Sequence, residues 1–403
     1  AGGSHQCTTT AARASQDGNV EPDRVARLLA LHARTEHVVV GLMSGTSADG
    51  VDAAVVRIAD APHGIQFELL AFVERAHAPD LRARVLEAAQ LCAADLARLD
   101  FDLGDAFADA AQQAIAKANV SVDLVGSHGQ TIVHVPRGAG PRGATMQLGQ
   151  AAIIAERTGL PVVSDFRVRD MALGGEGAPL VPLIDHLVFG KPGERRVLLN
   201  LGGIANLTSV TGNLDDLVAF DAGPANALMD ALVRESTRGA ESHDRNGERA
   251  ARGRVVPDLL AELLADPFLD RAPPRSADRD AYGSRRAREL LARGHGLDDL
   301  VATAAQYSVE CVARALAFLP KAAKPIDRVI ASGGGTRNPT LMRRLRERLN
   351  VTVDRTDDHG MPSQAKEAIA FAILARQTVL GRPGNLRAAT GASRDQILGT
   401  LTP

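Results

Sequence analysis

The chain has 403 residues, 45% of them hydrophobic but only 3% aromatic and none Trp, so a core large enough for two or three domains would be aliphatic. Lys and Arg number 46 against 48 Asp and Glu, a net charge of −2 that offers no basic excess for nucleic acid. Cys7, Cys92 and Cys311 are too scattered for a disulfide framework or metal spacing and suit a reducing cytoplasm, and no apolar run nears the about 18 residues of a membrane span.

Residues 1–36 read as a flexible extension. Its opening, AGGSHQCTTTAARASQDGN, is small and polar, has no apolar region for a secretory signal and, lacking Met, reads as tag-derived or trimmed. A short helix is expected near Pro22–Ala33. Val38–Val51, VVVGLMSGTSADGV, then runs a β-branched strand into a turn of small residues and out into a second strand through Ile58. The tip of this hairpin carries Gly45, Thr46, Ser47, Ala48, Asp49 and Gly50. Glycines let backbone N–H groups close on an anion, hydroxyls add donors, and Asp49 could hold a hydrated Mg²⁺. A solvated turn favours the same residues.

Ile65–Val73 reads as a third strand, and Leu81–Cys92 and Ala93–Ala118 as helices. Val122–Gly126 is a short buried strand delivering Ser127–Thr131 to its C-terminal end, where open α/β sheets place ligands. A strand end at Thr145–Gly149, a helix over Ala151–Thr158 and a strand over Pro161–Ser164 follow. That strand runs into the charged cluster Asp165, Arg167, Arg169 and Asp170, readable as a surface ion-pair turn or as a carboxylate base held by arginines. A Gly-rich loop, Gly174–Pro179, comes next.

From about Arg195 the pattern restarts. Val197–Gly203 runs a strand into a Gly turn, Ala205–Val210 returns, and Leu217–Phe220 ends in Asp221-Ala222-Gly223-Pro224-Ala225-Asn226 before a helix. Two similar halves facing one another are expected. Arg238–Gly253 reads as loop and Leu300–Phe318 as an amphipathic helix. Asp327–Ala331 is a strand before Gly333-Gly334-Gly335, with Asn338 and Pro339 starting a helix. The last helix is Gln364–Val379, expected to pack back along a cleft.

MSGTSADGVD at the hairpin, HGQT at His128–Thr131, DFRVRD at Asp165–Asp170 and GGGTRNP at Gly333–Pro339 together resemble the anhydro-N-acetylmuramic acid kinases of the sugar kinase/Hsp70/actin superfamily. The resemblance spans nearly the whole chain beyond residue 35. It implies an α/β, two-domain actin-like ATPase (ribonuclease H-like) fold with ATP in an interdomain cleft, the first domain over 37–195 and the second over 196–403. It implies an ATP- and Mg²⁺-dependent cytoplasmic enzyme that opens 1,6-anhydro-N-acetylmuramic acid to the 6-phosphate. The nucleotide would meet the hairpin from Gly45 through Val51 and Asp52, with Gly202, Gly203, Asp221, Gly223, Asn226, Gly333, Gly334, Gly335, Arg337 and Asn338. Asp49 and Asp221 would face one another across Mg²⁺. Asp170 is implied as the base. His128, Gln130, Thr131, Gln147, Asp165, Arg167 and Glu367 are implied sugar contacts.

Three stretches depart from the family pattern. Ala222 and Ala225 replace Thr and Gly in the second phosphate turn. PPKSTGRE stands here as Pro273–Asp280 with Arg275, Ala277 and Asp278, and Glu176 replaces Gln. Sugar preference is therefore open, another anhydrosugar such as levoglucosan, or a simple sugar hydroxyl, being the near alternative and a nucleotide-driven actin- or Hsp70-like switch the distant one. The expected partner is a small sugar, with no nucleic acid and no membrane. A homodimer is left open.

Overall fold

The structure, a computed structural model, describes residues 24–403 apart from Thr46, 138–141, Pro274 and 321–324. Most of the expected extension, 1–23, lies outside the described residues; from Arg24 the chain is already helix α1 (Arg24–His32), tied down where the His32 ring meets the Val379 carbonyl at 2.9 Å.

Three strands open the first half as an antiparallel meander, β1 (Glu36–Ser44), β2 (Gly50–Ala61) and β3 (Gly64–Ala76). The valines of β1 and β2 are almost all buried because helices cover both faces of the sheet. After α2 (Pro79–Leu86) comes α3 (Ala93–Ala118). Leu99, Leu103, Phe107, Ala110 and Ala114, three to four residues apart, give α3 one apolar stripe against the sheet, and Asn119 in a left-handed conformation ends it. The chain continues through β4 (Leu124–Val135), β5 (Ala144–Leu148), α4 (Ala151–Thr158), β6 (Val162–Ser164), α5 (Val168–Ala172) and α6 (Val181–Phe189). β4 lies parallel to β1 and β6 parallel to β4, giving the order β3-β2-β1-β4-β6.

The second half repeats that order with new residues. β7 (Arg196–Leu201), β8 (Ile204–Val210) and β9 (Val218–Pro224) form the meander. α7 (Ala227–Ser236), α8 (Glu248–Arg252), α9 (Pro257–Leu264), α10 (Ser284–Leu291) and α11 (Leu297–Leu316) follow. Then β10 (Arg328–Ser332), α12 (Pro339–Leu349) and β11 (Thr352–Arg355) complete a sheet ordered β9-β8-β7-β10-β11, with β10 parallel to β7 and β11 parallel to β10. A three-stranded meander flanked by two parallel strands, present twice, is the duplicated ribonuclease H-like architecture.

The last stretch, α13 (Lys366–Val379), α14 (Arg387–Thr390) and β12 (Thr400–Thr402), returns to the first sheet. β12 pairs antiparallel with β6, and α13 crosses β1, β2 and β4. A Cβ on Gly41 would lie 1.8 Å from the Ala368 carbonyl oxygen, and one on Gly126 2.4 Å from that of Phe371, so these glycines set how closely α13 approaches. Residues 366–402, expected in the second domain, thus complete the first.

Other expectations shift locally. The short strand over Val122–Gly126 continues to Val135, since β4 leaves β1 near Gln130 and takes β5 as its antiparallel partner instead. The helix over Leu81–Cys92 stops at Leu86, and Arg238–Gly253 contains α8. No described helix is long and apolar enough to cross a membrane.

Candidate active site

The first hairpin is braced from beneath. Ser44 donates to Gln130 Oε1 at 2.6 Å and sits 2.7 Å from the Gly50 carbonyl, while Gln130 Nε2 donates to the carbonyls of Gly45 (3.1 Å) and Thr131 (3.3 Å). Gln130, expected at the sugar, is buried and spends its amide on the hairpin. Ala48 takes the left-handed conformation, φ 52°, with its N–H on the Gly45 carbonyl, so the tip is a tight loop between exposed Ser47 and exposed Asp49. Asp49 pairs with Arg82 of α2 at 2.9 Å. Thr46 lies outside the described residues. Gly50 and Val51 begin β2, and Asp52 faces Glu74 across the ladder. Burial, then Glu74 and Glu367, push the Asp52 carboxyl up to about 6.

Three loops of the second half converge. The turn at Gly202 and Gly203 sits on the start of α7, the Gly203 carbonyl accepting from the N–H groups of Ala225 (2.9 Å) and Ala227 (3.0 Å). Asn226 Nδ2 donates to the carbonyls of Leu201 (2.9 Å) and Gly202 (2.8 Å). Gly333, at φ 84°, leaves no room for a Cβ, which would lie 2.5 Å from Asn200 Oδ1; one on Gly335 would lie 2.7 Å from Leu201 Cβ; but nothing stands within 4 Å of the corresponding point on Gly334. That open glycine, flanked by exposed Arg337, is a flat shelf fit for a planar base. Asn338 is not free for a ligand through Oδ1, which caps α12 by accepting from the Leu341 N–H at 3.0 Å. Gly223 lies buried in β9, at φ 142° against Cys311.

Between the halves lies a cleft of about 820 Å³. Asp221 from β9, Gly333 and Glu367 from the start of α13 line it, with Glu176 and Arg275. Glu367 is exposed, and burial of its carboxyl raises the pKa, with Lys366 and Arg167 pulling the other way. Burial likewise raises that of Asp221, against the Ala277 N–H and Arg275. Ala277 N–H donates to Asp221 Oδ2 at 2.9 Å, and Oδ1 has no hydrogen bond among the described residues. Neighbour relations in sequence do not reveal the nearby ion pair of Lys366 with Asp185, 2.8 Å apart and both buried, which joins α13 to α6 at the cleft wall.

The sugar residues expected from the first half separate into two groups. His128 is buried; its Nδ1–H donates to the Gly129 carbonyl at 2.9 Å and its Nε2 accepts from Arg167 at 2.9 and 3.1 Å. Burial, then the guanidinium, lower its pKa to about 3, so it is neutral. With both nitrogens engaged, His128 orients Arg167. Arg167 also donates to the Gly177 carbonyl at 2.8 Å. Thr131 and Gln147 face each other across β4 and β5, the Gln147 amide donating to the Thr131 hydroxyl at 3.1 Å. Asp165 is half-buried just beyond β6 at φ 56°, and burial, then Asp100, raise its carboxyl pKa. It carries no hydrogen bond among the described residues, so its strain and open carboxylate mark it as available to a ligand.

Asp170, expected as the base, is closed. It is fully buried, and its carboxylate accepts from the Gly177 N–H (2.8 Å), Asn385 Nδ2 (2.8 Å) and the Thr390 hydroxyl (2.7 Å). It fastens the Gly-rich loop to the C-terminal segment and does not line the cleft. Asn385 and Thr390 follow it by more than 200 residues, so no local signal could have exposed this.

Two duplicated α/β halves, a glycine shelf, a braced hairpin and carboxylates on an interdomain cleft define a two-domain phosphotransferase of the actin-like ATPase class. Within that class the chain belongs to the anhydro-N-acetylmuramic acid kinase family, whose sequence pattern it matches over residues 37–403. Relatives carrying that name include proteins of Caldanaerobacter subterraneus, 39% identical over 93% of this chain and 99% of the relative, and of Salinibacter ruber, 43% identical over 93% and 98%. The Streptomyces coelicolor relative is 44% identical over 91% and 93%.

Proposed function

We propose that the chain uses ATP to open 1,6-anhydro-N-acetylmuramic acid hydrolytically and phosphorylate it to N-acetylmuramic acid 6-phosphate, in the cytoplasm where nucleotide is supplied. The observation that carries this reading is the placement of Asp221 and Glu367, two carboxylates with raised pKa values, on the walls of one cleft beside the glycine shelf. Water must attack the anomeric carbon as the bond from that carbon to O6 breaks, and O6 must take the phosphoryl group. The proton released by water needs an acceptor with a free lone pair.

Asp221 is that acceptor in our reading: Oδ2 is fixed by Ala277, and Oδ1 has no hydrogen bond among the described residues. Glu367, from the opposite wall, orients water and sugar. Arg167, held flat by His128, and Asp165 are the sugar-side groups of the first half. The shelf at Gly333–Gly335 takes the adenine, and the hairpin N–H groups take the phosphates. Asp49 fits Mg²⁺, which binds through one or two carboxylates and keeps several waters. When bound, that ion neutralises phosphate charge. Positioning and charge neutralisation supply most of the rate.

Glu176 favours a second reading, a neutral anhydrosugar, since a carboxylate on the cleft disfavours a sugar bearing its own carboxylate. One assay tests both. Incubation with Mg-ATP and either anhydro-N-acetylmuramic acid or levoglucosan in ¹⁸O-water is expected to give the first sugar's 6-phosphate, labelled at the anomeric hydroxyl before exchange. Turnover of levoglucosan alone would replace the substrate, and unlabelled product would remove water attack.

A further inference from the structure

Lys366 is the first residue of α13, an unfavourable place for a cation, and it is 8% exposed. The preceding Ala365 supplies no side-chain cap, so the free N–H groups of the first turn already make this end of the helix positive. One compensation is in place. Nζ lies 2.8 Å from Asp185 Oδ1 on α6, a residue itself 3% exposed. Burial raises the Asp185 carboxyl pKa, with Lys366 and the Thr208 hydroxyl of β8 pulling the other way. An ammonium has three donors. Nζ has no second partner among the described residues, yet Lys366 lines the cleft together with Asp185 and Thr208. The adjacent Glu367 has Arg167 and Asp52 of the first half as its other charged neighbours, so the two side chains serve different walls.

We infer that Lys366 is an anion-binding residue of the cleft, its ammonium and the first-turn N–H groups of α13 together taking an anionic oxygen group of the substrates. That group is either the carboxylate of the sugar or the phosphoryl group in transfer. The inference rests on the reading that ATP and an anionic sugar meet in this cleft. Glu176, Asp221 and Glu367 line the same space and repel both substrates. The guanidinium of Arg275, also on the lining, is engaged by the carbonyls of Asp221, Leu269 and Arg271. Lys366 still has donors free. Asp185 fixes the ammonium through one of its three donors, so an arriving anion meets a charge already desolvated and oriented. The competing role is structural, a pair that only joins α6 to α13. The two roles separate experimentally, because a buried ion pair replaced on both sides by apolar residues of similar volume keeps or gains stability.

The test uses the full chain carrying Lys366→Met and Asp185→Leu together. Calorimetry with Mg²⁺ present measures its affinity for ADP, a non-hydrolysable ATP analogue, anhydro-N-acetylmuramic acid and levoglucosan, which has no carboxylate. Turnover of each sugar with Mg-ATP is followed alongside. Tm is expected to hold, and ADP affinity to stay within about threefold of wild type. A loss of at least about tenfold, the scale of one charged hydrogen bond, is expected for one of the other probes. A loss confined to anhydro-N-acetylmuramic acid, in affinity and in KM, identifies the carboxylate as the anion. A loss on the ATP analogue, with slower turnover of both sugars, identifies the phosphoryl group. Wild-type affinity for both of those probes, or ADP weakened as much as they are, would overturn the inference. If the wild-type chain turns over neither sugar, the reading of the reaction falls, and the titrations still decide the anion site. Should the double variant fail to fold, Lys366→Gln keeps a donor for Asp185 without the charge. It is expected to show the same pattern at about threefold, and unchanged affinities there count against Lys366.

Discussion

Asp170 and Asp221 make an instructive pair. Each stands in a motif following an apolar strand, Asp170 beside Arg167 and Arg169 in the chain and Asp221 beside Arg275 only in space. Asp170 has three donors on its carboxylate and no surface, whereas Asp221 has one backbone N–H on its carboxylate and a cleft in front of it. Charge density in sequence favours Asp170, beside Arg167 and Arg169, over Asp221, which has no basic residue near it in the chain; unspent lone pairs reverse that order. The closed carboxylate fastens a loop, and the open one is, in our reading, the group that exchanges a proton.

The sharpest way to break this comparison is Asp221→Asn. Turnover is expected to fall at least about 10²-fold, the scale of lost general-base catalysis, with nucleotide affinity and Tm held. Near-normal turnover would return the base to some other group. Asp170→Asn should give the opposite signature. Turning an NH₂ group toward three donors costs about 2 kcal/mol, seen as a fall in Tm of several degrees. Turnover per folded molecule should stay within about threefold; a loss of about 10²-fold without destabilisation would make Asp170 the base after all.

The smallest effect sharpens the comparison at a third carboxylate. Asp52 has a folded pKa of about 6, above its unfolded value of about 4. The native state therefore holds the proton more tightly than the unfolded chain between those values. That stabilising contribution is complete below about pH 4 and lost as pH rises to about 6. Asp52→Asn, which removes the charge facing Glu74 and Glu367, is expected to raise Tm slightly at pH 7 and leave it unchanged at pH 4. Equal shifts at both pH values would mean that the charge is not responsible.

Much of the fold was legible because its signals are local. The meander of β1 to β3, the 26 residues of α3 and the cap at Asn338 follow from β-branched runs, stripe spacing and a side chain three residues from its acceptor. The duplication also showed, as strand–turn–strand at both Val38 and Val197. What stayed hidden depends on distant chain. The fastening of Asp170 needs Asn385, the Lys366–Asp185 pair joins residues 181 apart in number, and the strand β12 is only three residues long. At the site, HGQT reads as ligand chemistry, and what the sequence did not show is that His128 also braces Arg167 and Gln130 the hairpin.

The return of α13 and β12 to the first sheet has a consequence for synthesis. The second half is one uninterrupted stretch, β7 through β11, so it can close while the ribosome is still at work. The first half is made earlier but lacks the helix that covers β1, β2 and β4 until the last forty residues emerge. Vectorial order and folding order are therefore reversed between the halves, and the early sheet must wait with one apolar face uncovered.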